Sequence, residues 1–271
     1  MRNLETDIYA RLMEAAEGLA SLRGIPLDIG ELCRLLGVAV GRTRIGHARA
    51  LLVDAKKNPK ILLPPADRAP EKYTPWERFL IAHELGHLVL HHRSVPKPQG
   101  PGEYWKTEQL CDAFARWLLI PESRFGELGK RAANTAAQRL NFVRYLESKT
   151  EVNWAAAAMR VTDWHPNVIF LQLRRESEKT LKVCFSSTRK ELNRKIAITE
   201  PLAAVLISHR TKDTVEALAA DVLECFPSVS GASSCVVMRG PKDFRLAAVF
   251  DPRAEAILVD NRDRGAVSCA T

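Results

Sequence analysis

Two histidines and a glutamate lie together at residues 83–87, whose order is His-Glu-Leu-Gly-His. On a helix, positions i and i+4 share one face about one turn apart, so His83 and His87 can direct imidazole nitrogens at one zinc ion. Glu84 lies one step round the helix, beside the ion without ligating it. Its carboxylate could take a proton from zinc-bound water and later pass that proton to a leaving amine.

The alternative is that these histidines only decorate a helix, as isolated histidines usually do. The surrounding sequence argues against this alternative, because the stretch is strongly apolar and buried polar side chains need partners. Its apolar residues are Phe79, Leu80, Ala82, Leu85, Leu88 and Val89. The pattern therefore favours a bound metal.

A third ligand has to come from another segment. His91 continues the same row, but eight residues of helix rise about 12 Å, which is too far for one ion to span. The third histidine of the metzincin pattern is absent, since Arg93 occupies its position. Glu108 and Asp112 share one face of the next predicted helix. Glu108 could complete the site with a fourth position open to water, and Asp112 could accept a hydrogen bond from a ligand imidazole.

The same glutamate and aspartate, without the histidine motif, would be interpreted as a solvated acidic face. A zinc peptidase also needs a group that stabilises the oxyanion of the tetrahedral intermediate. Tyr104, His91 and His92 are nearby in sequence, and Tyr104 ranks first because it directly precedes the Glu108 helix. An ordinary packing or surface role is the alternative for each of them.

The composition is that of a globular protein. The 271 residues are 46% hydrophobic and 27% charged, which excludes wholesale disorder, a collagen-like repeat and a coiled-coil rod. No apolar run approaches the roughly 20 residues of a membrane span, and the start lacks a secretory signal, so we expect a cytoplasmic protein without membrane contact. The six cysteines are scattered, which favours reduced thiols over a disulfide framework or a zinc finger.

The formal net charge is +8, from 40 lysines and arginines against 32 aspartates and glutamates. This surplus would favour weak attraction to nucleic acid or an acidic partner, although a solvated basic surface is the commoner explanation. Residues 122–165 contain seven basic and five acidic side chains, which is thin support for DNA binding.

Apolar periodicity predicts the elements that would position the motif. The predicted helices of the first part of the chain cover residues 5–22, 29–36, 77–92 and 106–119. Residues 50–53 and 60–63 predict a β-hairpin, whose edge strand could pair with an extended peptide. Residues 94–102 are rich in proline and glycine and predict a loop.

Later in the chain, the helices predicted near 135–146 and 152–161 could form a helix-turn-helix or a plain helical hairpin. Beyond residue 166 the pattern changes to that of an α/β domain. It predicts strands at 167–173, 181–185, 234–238 and 244–250, and a helical stretch over 201–226. We see no glycine-rich phosphate loop or second metal motif that would name a ligand for this part.

Two blocks of sequence together resemble the ImmA/IrrE metallopeptidases. Residues 76–87 read Trp-Glu-Arg-Phe-Leu-Ile-Ala-His-Glu-Leu-Gly-His, and the second block runs from Glu108 to Phe-Ala-Arg-Trp-Leu-Leu-Ile-Pro at 114–121. The order of the parts is similar to the IrrE branch of that family.

The resemblance implies an α+β fold in three parts: a zincin-like, gluzincin-type metalloprotease domain at 1–121, a helix-turn-helix-like segment at 122–165 and a GAF-like sensor domain at 166–271. It also implies zinc ligands His83, His87 and Glu108, with Glu84 as the catalytic base. Leu110 departs from the family, whose members often carry a second glutamate there.

The activity that the resemblance implies is zinc-dependent cleavage of a helix-turn-helix transcriptional repressor, which would derepress stress-response or mobile-element genes. The repressor would be the protein partner, and the GAF-like domain could bind a small molecule or other signal. The alternative is a non-proteolytic transcription regulator that binds DNA or protein and keeps zinc as a structural ion.

Overall fold

The structure is a computed structural model. It describes residues 2–22, 24–45, 50–66, 72–92, 100–131, 135–177, 180–187, 195–197, 214–217, 232–239 and 244–250. Over these residues the fold is α+β, with seven helices and two sheets. The chain forms two compact units, Met1–Gly129 with Arg144–Arg160, and Lys130–Val143 with Val161–Thr271. The domain boundaries at residues 121 and 165 stay predictions.

The helices of the described chain follow the apolar periodicity closely. They are α1 (Arg2–Ser21), α2 (Ile29–Leu35), α3 (Pro75–His92), α4 (Pro101–Leu119), α5 (Glu122–Arg131), α6 (Ala136–Thr150) and α7 (Trp154–Trp164). None of these described helices combines the length and the apolarity that crossing a membrane requires.

A small sheet lies in the first unit. Its strands are β1 (Ala39–Arg42), β2 (Leu51–Val53) and β3 (Lys60–Leu63), in the order β1-β3-β2. Strand β3 is parallel to β1 and antiparallel to β2, so the predicted hairpin is confirmed. Ile61 and Leu63 of β3 are fully buried, whereas β2 lies at the edge of the sheet.

A six-stranded antiparallel sheet belongs to the second unit. Its strands are β4 (Val168–Arg175), β5 (Thr180–Ser186), β6 (Lys195–Ala197), β7 (Thr214–Ala217), β8 (Ala232–Arg239) and β9 (Phe244–Phe250). They are ordered β6-β5-β4-β9-β8-β7, so the first and last strands pair at the centre. Leu171 and Phe170 of β4 are fully buried.

The start of α3 is fixed by a capping box. The Thr74 hydroxyl accepts a hydrogen bond from the Glu77 N–H at 3.2 Å, and the Glu77 carboxylate accepts one from the Thr74 N–H at 2.9 Å. Pro75 occupies the first helical position, where its missing N–H costs nothing. Glu77 also pairs with Arg42 of β1 at 2.6 Å, so this cap ties the helix to the small sheet.

Two buried arginines connect helices within the first unit. Arg78 of α3 donates hydrogen bonds to the carbonyls of Leu27 at 2.8 Å and Thr150 at 3.2 Å. Arg160 of α7 donates to the Ile120 carbonyl at 3.0 Å and lies 4.0 Å from the centre of the Trp117 ring. The bonds to Thr150 and Ile120 satisfy main-chain oxygens at the carboxyl ends of α6 and α4, and the bond to Leu27 satisfies one in the segment before α2.

Several elements differ from the sequence predictions, and strands β1 and β6 were not predicted at all. Helix α4 begins at Pro101, within the predicted loop, because proline is well suited to a first helical turn. Helix α5 was not predicted, since it is short and mostly polar. The predicted helix at 201–226 is wrong at Thr214–Ala217, which form β7, and its remaining residues lie outside the described part of the chain.

The capping box predicts a stability loss that can be measured. We expect Thr74→Ala to lower the free energy of unfolding by about 1 kcal/mol, because the first turn of α3 loses a hydrogen-bond acceptor. Thr74→Ser keeps that oxygen and serves as the control. Urea denaturation followed by circular dichroism measures both variants, and equal stabilities would contradict the role of the cap.

Candidate metal centre

Helices α3 and α4 bring three metal-binding side chains to one point. The Nε2 atoms of His83 and His87 are 3.2 Å apart. The carboxylate of Glu108 lies 3.2 Å from Nε2 of His83 through one oxygen and 3.3 Å from Nε2 of His87 through the other. Among the described residues, this is the group of histidine, cysteine and acidic side chains that could hold a metal ion.

These distances fit a tetrahedral zinc site. Zinc bonds of about 2.0–2.1 Å to nitrogen and oxygen place neighbouring ligand atoms about 3.3–3.4 Å apart. The observed edges of the donor triangle are 3.2 to 3.3 Å. Two imidazoles and one carboxylate are also a ligand set that zinc accepts, so the residues present fit this ion.

Asp112 orients the first of the two imidazoles. Its carboxylate lies 2.8 Å from Nδ1 of His83. A proton on Nδ1 that donates to this carboxylate leaves the lone pair of Nε2 directed at the donor triangle. The structure therefore brings together Asp112 and His83, as the sequence analysis predicts.

Glu84 directly follows His83 in α3 and is buried, with 8% of its surface exposed. Its carboxylate accepts a hydrogen bond of 2.9 Å from the main-chain N–H of Leu52 on β2. Burial raises the pKa of Glu84 above its ordinary value, although the charge of His83 and the hydrogen bond from Leu52 oppose the shift. A carboxyl of raised pKa is suited to exchanging protons near neutral pH.

The pKa values of the two histidines are shifted in opposite directions. Burial lowers the pKa of His83, but the hydrogen bond and negative charge of Asp112, together with two nearby glutamates, raise it overall. Burial and the positive charge of His83 lower the pKa of His87, against the opposing effect of Glu108. A neutral His87 has the free lone pair that a metal ligand needs.

Tyr104 lies close enough to the centre to interact with Glu108. The negative charge of Glu108 and a hydrogen bond to that carboxylate raise the pKa of the Tyr104 hydroxyl. The tyrosine is half exposed, at 50% of its surface. His92, one of the alternatives for this position, instead lines an apolar cavity together with Leu19, Leu88 and Val89.

Helix α3 packs tightly against α4 at Gly86. A Cβ atom added to Gly86 would lie 3.1 Å from the Cα of Cys111 and 3.2 Å from the ring of Phe114. Both of these residues are fully buried in α4. Cys111 lies between Glu108 and Asp112 in the sequence, and Phe114 follows Asp112. Glycine therefore permits the separation of the two helices at which Glu108 reaches both histidines.

Sequence reasoning missed two of these features. Gly86 could have been found, because a glycine within an apolar helix costs about 1 kcal/mol relative to alanine and so indicates close packing or function. The bond from Leu52 could not have been found, since a main-chain donor has no residue type that marks it.

Part of the chain is similar to a known protein family. Residues 33–162 match the sequence model of the IrrE N-terminal-like domain, a peptidase family, over just under half of the chain. The matched range contains every residue of the candidate centre. No curated protein matches the chain.

One solved structure is similar to nearly the whole chain. It is a Mycobacterium tuberculosis transcriptional regulator, with 16% sequence identity and a TM-score of 0.48, and the alignment covers 98% of this chain and 85% of that chain.

The contact at Gly86 predicts that an added methyl group separates α3 from α4. We expect Gly86→Ala to be less stable than Gly18→Ala by about 1–3 kcal/mol, the usual cost of overpacking. Gly18 is the matched control, because it lies exposed on α1 with no atom within 4 Å of an added Cβ. There alanine should stabilise the helix by about 0.5–1 kcal/mol. Urea denaturation of both variants measures the difference, and equal gains would contradict the close contact.

Proposed function

We propose that this protein is a zinc-dependent endopeptidase whose active site is built from His83, His87, Glu108 and Glu84. The observation that carries the proposal is the triangle of donor atoms, with edges of 3.2 to 3.3 Å, beside a buried carboxylate. The similarity of residues 33–162 to a peptidase family supports the same class of activity, and peptidases of that family are typically zinc-dependent.

Each side chain has a separate role in this proposal. His83, His87 and Glu108 would hold the ion, and Asp112 would keep the first imidazole in the correct tautomer. When bound, zinc supplies Lewis-acid chemistry and lowers the pKa of water to about 7. Glu84 would accept a proton from the attacking water at its carboxylate and transfer it to the amine that leaves.

Tyr104 is our candidate for the group that stabilises the oxyanion. The negative charge of Glu108 raises the pKa of its hydroxyl, and the tyrosine lies on an exposed helical turn that a substrate could reach. A hydroxyl donor aimed at developing negative charge stabilises the transition state of acyl transfer.

The substrate of this proposal is a helix-turn-helix transcriptional repressor, and its cleavage would derepress stress-response or mobile-element genes. An edge strand supports a peptide substrate, because β2 ends the sheet formed by the described residues and an extended chain could add along its outer side. Leu52 on this strand contacts the proposed base, so a peptide paired with β2 would lie beside Glu84.

We assign residues 1–121, which contain the proposed active site, to a zincin-like domain. The rest of the chain has regulatory roles in this proposal: residues 122–165 would form a helix-turn-helix-like segment, and residues 166–271 a GAF-like sensor domain. The central antiparallel sheet of the second unit supports a ligand-sensing module of this general class. A small molecule or other signal would act there, and the net charge of +8 is compatible with weak binding of DNA.

The first test of the proposal is the replacement of the base. We expect Glu84→Gln to keep its zinc and to cleave candidate helix-turn-helix repressors about 10²- to 10⁴-fold more slowly, because the amide cannot accept the proton. Glu14→Gln, on the exposed face of α1, is the matched control. Cleavage is followed by gel electrophoresis and mass spectrometry with the zinc-loaded full chain.

Unchanged cleavage by Glu84→Gln would overturn this assignment of the base. Absence of cleavage by the unaltered, zinc-loaded protein, together with DNA or protein binding that survives in the variant, would instead favour the non-proteolytic regulator. DNA binding of that kind should weaken steeply as the salt concentration rises.

The second test concerns the ion. We expect His83→Ala, His87→Ala and Glu108→Ala to lose zinc, and Asp112→Asn to bind it about 10- to 100-fold more weakly, because it loses only an orienting partner. His92→Ala, from the last turn of the same helix, should retain the ion and is the control. Elemental analysis and competition with a chelator give occupancy and affinity. Full occupancy in the first three variants would refute the site.

A further inference from the structure

Among the described residues, strand β2 pairs with a neighbouring strand on one side only. It lies at the edge of the sheet, with Leu51 opposite Leu62, Leu52 opposite Ile61 and Val53 opposite Lys60. In an antiparallel ladder the residues alternate between those whose N–H and C=O face the neighbouring strand and those whose groups face away. The bond from Leu52 to a helix therefore identifies Leu52 as a residue whose main-chain groups face away from β3.

The outward N–H of Leu52 is engaged by the side chain of Glu84, at 2.9 Å from one carboxylate oxygen. This contact joins residues that are 32 positions apart in the chain, so neither local turn geometry nor helix capping produces it. Glu84 is also the side chain that transfers the proton in the proposed function.

We propose that the main-chain N–H of Leu52 is the positioning group for Glu84: it holds one carboxylate oxygen and leaves the other free to receive the proton. This role rests on the proposed peptidase function. Leu52 does not contact the reacting atoms itself, and it acts through the glutamate. A glutamate side chain that is fixed in one rotamer avoids the entropy cost of being ordered during each reaction cycle.

The same bond determines what β2 can offer to a peptide. Since the Leu52 N–H is already engaged, a strand that adds to the free edge finds the Leu52 carbonyl as an acceptor but no donor at that residue. The peptide carbonyl opposite Leu52 is thus left unbound by β2.

A measurement of amide hydrogen exchange tests the contact without reference to activity. In the zinc-loaded full chain, the Leu52 amide should be protected although it lies on the outer edge of the sheet. Glu84→Ala removes its acceptor and should accelerate its exchange about tenfold or more. Val53 is the internal control, because its N–H faces β3 by the alternation of the ladder and should exchange equally in both proteins.

A single-atom replacement tests the positioning role. Incorporation of leucic acid at position 52 changes the amide to an ester and removes the N–H without altering the side chain. We expect kcat for repressor cleavage to fall about 10- to 100-fold, the range for a hydrogen bond to a charged group, with KM and zinc content unchanged. The corresponding hydroxy acid at position 53 should lower stability but leave kcat unchanged.

The outcomes separate the two proposals. Rapid exchange of the Leu52 amide in the unaltered protein would overturn the positioning role and leave the peptidase assignment intact. A protected amide with unchanged kcat in the position-52 ester would show that the bond is only structural, which also overturns it. A failure of the unaltered protein to cleave any repressor would remove the peptidase proposal and, with it, this catalytic role for Leu52.

Discussion

The packing of α3 against α4 at Gly86 sets the distance on which the candidate centre depends. The two histidines are one turn apart on α3, so their relative position follows from helix geometry alone. Glu108 belongs to a different helix, and its reach depends on how closely the backbones approach. The 3.1 Å separation between a would-be Cβ and the Cα of Cys111 shows that no side chain larger than hydrogen fits there without movement.

Charge explains why such a cluster calls for a cation. Glu84, Glu108 and Asp112 all act electrostatically on His83. Burial is the main cause of the raised pKa of Glu84, and the negative charge of Glu108 adds to it. A divalent ion among them would offset this repulsion and the cost of burying charge. The spacing of the donor atoms and the electrostatics of the site therefore both favour a divalent metal ion.

The sequence predicts much of this centre because its main determinants are side-chain types at fixed helical spacings. The spacing of His83 and His87 is predicted from one helix, and the spacing of Glu108 and Asp112 from the next helix. The hairpin that contains Leu52 also follows from two apolar runs and a turn. Its hydrogen bond to Glu84 does not, because it depends on the depth at which the strand packs against the helix, a tertiary property.

The misassigned elements have related causes. Residues 214–217 read Thr-Val-Glu-Ala, and two of these four residues are of the β-branched type that is enriched in strands. Their backbone pairs with β8, where Thr214 lies opposite Met238 and Val215 lies opposite Val237. Such partners lie far along the chain, and local patterns do not reveal them. Helix α5 is the opposite case, in which a short polar segment is stabilised by tertiary contacts, including hydrogen bonds from the main-chain N–H groups at Glu122 and Ser123 to Glu17 of α1.

The way Glu108 reaches the histidines has a consequence for the spacing of the donor atoms. Its position is set by contact between two helices, and the sequence that links them, residues 93–99, contributes none of the donor atoms. The three donor atoms come from α3 and α4, so their spacing is kept wherever the contact between those two helices is kept.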